Sequence, residues 1–168
     1  MSTELWDAEY ASVQSIPSSN RFTSSLSLRN LLSECSPTGD TALDVGCGNG
    51  RNLSEISEYM DTVIGLDYSS EALSLANKHT DWDSEVIQAK IPDLPVKADV
   101  ADMIVDSYVS CHFISQPEIT SYFDEIERVA SEGAQLYWIG VGVEDEYYSQ
   151  FTETRTVLDP VNNISRYC

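Results

Sequence analysis

Leu43-Asp44-Val45-Gly46-Cys47-Gly48-Asn49-Gly50 closes an apolar, strand-like run with a glycine-rich turn and opens onto a helix-compatible stretch. Three glycines at alternate positions suit a loop whose backbone presses against a ligand, since a residue without Cβ permits close approach and left-handed backbone angles. The acid two places before the first glycine adds a carboxylate for a cationic or hydroxyl-rich partner. Further on, Thr62-Val63-Ile64-Gly65-Leu66-Asp67 is a second short apolar run with an acidic tip. At a strand's C-terminal end such a carboxylate can accept both hydroxyls of a ribose. Ser69 or Ser70 then caps the following helix, with Glu71 in its first turn.

A dinucleotide-binding turn wants Gly-x-Gly-x-x-Gly and would carry its third glycine at position 51, where Arg51 stands. A carboxylate at 44 would also repel a pyrophosphate at the helix start. The stretch from Leu43 to Asn52 instead resembles the first motif of the class I S-adenosylmethionine-dependent methyltransferases, in the small-molecule group that includes the tellurite-resistance and thiopurine enzymes. The resemblance covers about residues 4 to 142. It implies S-adenosyl-L-methionine as cofactor and methyl transfer to a small-molecule acceptor by in-line displacement. It assigns the methionine part to Asp44, Gly46, Cys47, Gly48, Asn49 and Gly50, and the ribose side to Asp67 and Tyr68. The alternation of strand and helix patterns predicts an α/β fold, a three-layer α/β/α Rossmann-like sandwich with a mainly parallel sheet.

Val86-Ile87-Gln88-Ala89 reads as a third strand, and Ile91 to Val96 aligns with a Leu-Pro-containing stretch of the family. Relatives commonly place an acid for the adenine amino group just before it; here stand Ala89, Lys90 and Ile91. A lysine has donors only and cannot accept that proton, so the backbone of 89–91 is the expected adenine contact. Ala101 to Phe113 resembles the fourth strand and its exit, which places Asp106, Ser107, Tyr108 and His112 at the end of the sheet where ligands sit. Tyr108 and His112 are the candidate catalytic residues. His112 is either a general base, its ordinary pKa being near neutral, or a residue that packs and orients the loop. No Asp/Asn-Pro-Pro-aromatic tetrapeptide follows, which argues against amino groups of DNA as acceptors.

Gln116-Pro117-Glu118 opens a helix whose apolar positions Ile119, Phe123, Ile126 and Val129 keep helical spacing. A fifth strand follows from Ala134 to Val141. Glu125, Arg128, Val129 and Gly133 hold a family pattern that is structural. Upstream, Trp6-Asp7-Ala8-Glu9-Tyr10 matches a Trp-Asp-x-x-Tyr start common among relatives. Tyr10 either folds over the site as a lid contact that excludes water, or anchors the N-terminus on the core together with Trp6.

The chain carries 28 acidic and 9 basic residues and a formal charge of −19. No basic patch is available for phosphates, which argues against nucleic acid. Such self-repulsion is screened at multimolar salt, where the Debye length is about 3 Å, and the expectation is a halophilic, acidic protein. No stretch reaches the roughly 20 apolar residues of a membrane span, and no export signal opens the chain, so a cytoplasmic location is expected. Cys35, Cys47, Cys111 and Cys168 lack metal spacing, and no metal is expected.

Length fits one domain over 1–168: an N-terminal helical or lid segment at 1–40, a cofactor-binding core at 41–142 and a short extension at 143–168. Residues after Val141 are too few for the helix and antiparallel strands that usually complete the sheet in this family. The fifth strand is then an edge to be covered or paired, by a second copy in a homodimer, or the fold is a shortened form. Two readings stand: a small-molecule methyltransferase with Tyr147 or Tyr148 near the acceptor, or a non-catalytic cofactor-binding or interaction protein on the same fold.

Overall fold

The computed structural model describes residues 3–12, 23–79 and 85–140, with the backbone of 156–158 and 165–167. Tyr147 and Tyr148 lie outside the described residues. The elements run α1 (Thr3–Ala11), α2 (Leu26–Cys35), β1 (Thr41–Val45), α3 (Leu53–Ile56), β2 (Thr62–Asp67), α4 (Ser70–His79), β3 (Glu85–Gln88) and β4 (Ala101–Ser107). A 3-10 turn (Ser110–His112), α5 (Gln116–Val129), β5 (Ala130–Ile139), β6 (Thr156–Leu158) and β7 (Ser165–Tyr167) follow.

Five strands form one parallel sheet in the order β3-β2-β1-β4-β5. Its central strands are buried almost throughout, as a parallel sheet covered on both faces requires. Alternate residues feed two cores. Ala42, Met103, Val105 and Tyr137 pack with Leu28 and Leu32 of α2 and with Leu53 and Ile56 of α3. Leu43, Val45 and Ile104 pack on the other face with Tyr122, Ile126 and Val129 of α5. The fold is the expected three-layer α/β/α sandwich.

Several local details differ from the sequence reading. On α5 the fully buried ring is Tyr122, while Phe123 is 37% exposed. The Tyr122 hydroxyl reaches the buried Asp106 carboxylate at 3.0 Å, a partner that only the sheet supplies. Strand β5 begins at Ala130, directly after the helix, and absorbs the surplus residues around Gly133 in a bulge between its pairings with Ala101 and Met103. An antiparallel pair, β6 with β7, is present but is bonded within itself and not to β5. No helix among the described residues is long and apolar enough to cross a membrane.

The structural role read for Glu125 and Arg128 has a geometry. Arg128 Nε and Nη2 donate to Glu125 Oε2 and Oε1, each at 2.7 Å. Glu125 Oε1 also accepts from Leu94 N at 2.8 Å, and Arg128 Nη2 donates to Leu94 O at 3.2 Å. The pair therefore clamps the segment after β3 onto α5. Helix α5 itself opens with a capping box between Ser115 and Glu118.

Candidate functional site

Parallel register sets the C-terminal ends of three strands side by side: Val45 is level with Leu66 on β2 and with Asp106 on β4. The glycine turn leaves β1 by folding back on β2, with the amides of Gly46 and Cys47 both donating to Leu66 O at 2.6 and 2.9 Å. Gly65 makes that possible, because a Cβ there would stand 2.9 Å from Cys47 Sγ. The sequence reading passes over Gly65. Gly48 has φ +58°, and a side chain on it would strike the Tyr10 hydroxyl.

Asp67 sits at the tip of β2, 8% exposed. Its Oδ2 accepts from Gly48 N and its Oδ1 from Ser69 N, both at 2.8 Å. Burial nevertheless raises its pKa to about 6, against the lowering by these amides. Each oxygen keeps acceptor capacity, so two hydroxyls of a ligand can still be received.

Asp44 is fully buried, and neither carboxylate oxygen has a hydrogen-bond partner. Burial pushes its pKa up to about 7, opposed by the positive charge of Arg51 and reinforced by Asp67. Asn52 lowers it slightly from outside hydrogen-bond geometry, and Asn52 Oδ1 is itself buried without a partner. A buried carboxylate left unsatisfied is costly in isolation, which marks this as a place for a cationic donor group from a ligand.

Helix α1 lies across this region. Asp7 Oδ1 accepts from Ser69 Oγ at 2.6 Å and from Glu71 N at 3.3 Å, and these hydrogen bonds, the Ser69 one foremost, lower the Asp7 pKa. Ser69 in turn caps α4 by accepting from Ala72 N, so it is Ser69 rather than Ser70 that serves as cap. The sequence reading places Asp7 in the Trp-Asp-x-x-Tyr start but gives it no role; its contact partner is 62 residues away. Tyr10 is half-buried against Gly48, and desolvation followed by the negative charge of Asp67 pushes its phenol far up. Trp6 meets the His112 ring edge-on at 4.8 Å.

The exit of β4 splits in two directions. Tyr108, at φ +69°, donates its amide to Ile139 O at 2.7 Å and packs on the α2 side of the sheet. His112 is buried in the 3-10 turn beneath Trp6. Asp106, read from the sequence as facing the ligand, instead turns inward: it accepts from Val109 N at 2.8 Å, from Ser110 N and from Tyr122 Oη. Its side chain follows the parity of Ile104, toward α5, so it shapes the loop rather than meeting a ligand. Trp138 Nε1 adds a hydrogen bond to Ser110 Oγ at 2.7 Å. Ser107 Oγ is buried without a partner.

At the far side, Ala89 is buried and its amide donates to Asp67 O at 2.8 Å, while Lys90 is exposed and Ile91 half-buried. Tyr68 is half-buried, with its carbonyl accepting from Gln88 Nε2. The structure thus gathers Tyr10, Asp44, the glycine turn and Asp67 around one end of the sheet, with Asn49 also buried, while Lys90 points to solvent. Among the described residues no group of three His, Cys, Asp or Glu could hold a metal ion.

The cradle fits S-adenosylmethionine on one observation: the unpartnered, buried Asp44 carboxylate suits an ammonium. Comparison with known proteins bears on the family. The demethylmenaquinone methyltransferase of Oceanobacillus iheyensis is 29% identical over 133 residues, covering 71% of this chain and 55% of its own length. The arsenite methyltransferase of Aquipseudomonas alcaligenes is 30% identical over 115 residues, covering 61% of this chain and 33% of its own. This chain therefore spans about a third to a half of the length of these curated relatives. The solved structure of PH0226 protein from Pyrococcus horikoshii OT3 superposes with a TM-score of 0.72 at 19% identity, covering 88% of this chain and 73% of that one, and shares the fold. The family model described as the methyltransferase domain matches residues 43–138, from the glycine turn to Trp138. With more than half of its residues matched by that model, the chain belongs to the class I S-adenosylmethionine-dependent methyltransferase family.

Proposed function

We propose that this protein transfers the methyl group of S-adenosylmethionine to a small-molecule acceptor by in-line displacement. The observation that carries the reading is the buried, unpartnered Asp44 carboxylate beside a glycine turn that is hydrogen-bonded to Asp67. The cofactor supplies a methyl group already bonded to a sulfonium leaving group. Asp44 receives the ammonium, Asp67 receives the ribose hydroxyls, and the backbone of Ala89 to Ile91, with Tyr68, borders the adenine. Gly46, Cys47, Asn49 and Gly50 shape the turn. Tyr10, on a helix fastened through Asp7, closes over the turn and excludes water. Ser107 Oγ, Tyr108 and His112 are the groups at the end of β4 that face the acceptor side or orient it, and no dedicated base is required when alignment supplies most of the rate.

The named acceptors of the relatives, demethylmenaquinone and arsenite, are small molecules, which supports that class here. Among the described residues no strand pairs with the outer edge of β5, and the strand carries exposed Leu136 and Trp138, which supports pairing with a second copy. The charge of −19 supports function at high salt. The domain division at residues 40 and 142 belongs to the same reading.

Calorimetric titration with S-adenosylmethionine and S-adenosylhomocysteine in multimolar KCl tests it, beside an Asp67→Ala variant. Binding that the variant loses is the expected result. A folded protein that binds neither compound would sink the methyltransferase reading.

A further inference from the structure

A groove of about 420 Å³ lies between the start of α2, Arg51 and Tyr108. Among the described residues it is lined by Thr23, Ser24, Ser27, Arg29, Arg51 and Tyr108, besides Ser25 and Leu26. Two of the chain's 9 basic residues thus meet in one groove of a protein with 28 acids. Chance gathering of cations on so acidic a surface is disfavoured, since each is drawn to the surrounding carboxylates. Arg29 Nε stands 4.0 Å from Glu55 Oε2, beyond hydrogen-bond reach, and that oxygen is already engaged by Ser24 Oγ at 2.9 Å. Arg29 and Glu55 thus form a loose ion pair rather than a hydrogen-bonded one. Arg51 follows the glycine turn directly and Tyr108 follows β4, so the groove opens at the C-terminal ends of the strands.

We propose that this groove binds the methyl acceptor and that the acceptor carries a carboxylate group, received by the guanidinium groups of Arg51 and Arg29 with Thr23, Ser27 and Tyr108 hydroxyls beside them. The inference rests on the methyltransferase reading and names its substrate class. A planar carboxylate matches the guanidinium fork with two parallel hydrogen bonds. A phosphate dianion would meet stronger repulsion from Glu55 and the overall charge. The groove's volume falls within the usual range for small organic ligands.

The test uses benzoate and its uncharged isostere benzamide as probes. Each is titrated into the protein with and without saturating S-adenosylhomocysteine, and into Arg29→Gln, a half-exposed position whose change leaves the packing of α2 intact. The expected result is a preference for benzoate of about tenfold that Arg29→Gln abolishes, with S-adenosylhomocysteine affinity unchanged. Equal binding of the two probes, or no benzoate binding, overturns the proposal. So does a loss of S-adenosylhomocysteine affinity in Arg29→Gln, because the groove would then serve the cofactor's own carboxylate. If wild-type protein ignores S-adenosylhomocysteine, the methyltransferase reading fails, and the titrations without it still decide whether the groove recognises a carboxylate.

Discussion

The amide of Gly48 donates to Asp67 Oδ2 at 2.8 Å, so the turn after β1 is fastened to the carboxylate that ends β2. One hydrogen bond thereby fixes the spacing between the two ends of the proposed cofactor cradle. It also explains why the turn holds its left-handed backbone beneath Tyr10.

Gly48→Ala is expected to cost about 1–3 kcal/mol of stability, because φ is +58° and the new methyl group meets the Tyr10 hydroxyl. Adding Tyr10→Phe removes the struck oxygen and should recover part of that loss. A double-mutant cycle by urea denaturation measures the coupling; strictly additive effects would show that Tyr10 does not rest on the turn.

The folded pKa of Asp44, about 7, lies above its ordinary value of 3.8, so its protonated form favours the folded state. Its contribution is fully present below about pH 4 and is lost as pH rises through about 7. Asp67, raised to about 6, acts in the same direction. Asp44→Asn should therefore stabilise the ligand-free protein at pH 8 by about 1–3 kcal/mol and change little at pH 4. Binding runs the other way: a cationic ligand needs the ionised carboxylate, so S-adenosylhomocysteine affinity in wild type should fall between pH 8 and pH 5. Denaturation and calorimetry at these pH values check both signs.

Asp7→Ala removes the acceptor for Ser69 Oγ and Glu71 N, at a cost of about 1 kcal/mol. The loss is local, so amide hydrogen exchange in Thr3–Ala11 should speed up by about fivefold while α5 is unchanged. Uniform acceleration across both helices would contradict the strap-like role of Asp7.

Tyr122→Phe leaves the cavity filled but deprives Asp106 Oδ2 of a donor. The expected cost is about 1–3 kcal/mol. Asp106 also holds Val109 and Ser110, so the loop bearing His112 should loosen with it, seen as faster amide exchange at residues 108–112. An unchanged loop would restrict Asp106 to a packing role.

Much of the site was legible because its signals are local. The glycine turn, the acid-tipped second strand and the Glu125/Arg128 pattern each depend on neighbours in the chain, and the structure sets them where their spacing implies. Asp106 was misread because a strand residue's face depends on which helix covers it, and α5 supplies Tyr122 to that face from 16 residues away. Likewise, periodicity alone could not choose Tyr122 over Phe123 for the core. The roles of Asp7 and Gly65 escaped because each acts on a residue far along the chain, Ser69 and Cys47.

The sequence by itself determined the alternation of strand and helix, the glycine turn and the two acids of the cradle. Hydrophobic periodicity and glycine's backbone freedom act within a few residues of one another. Only the tertiary structure decided that Asp44 is left without a partner, that Asp106 turns inward, that Tyr10 covers Gly48 and that Arg29 and Arg51 share a groove. Those outcomes come from burial and from contacts between segments brought together by the sheet, and no local pattern encodes them.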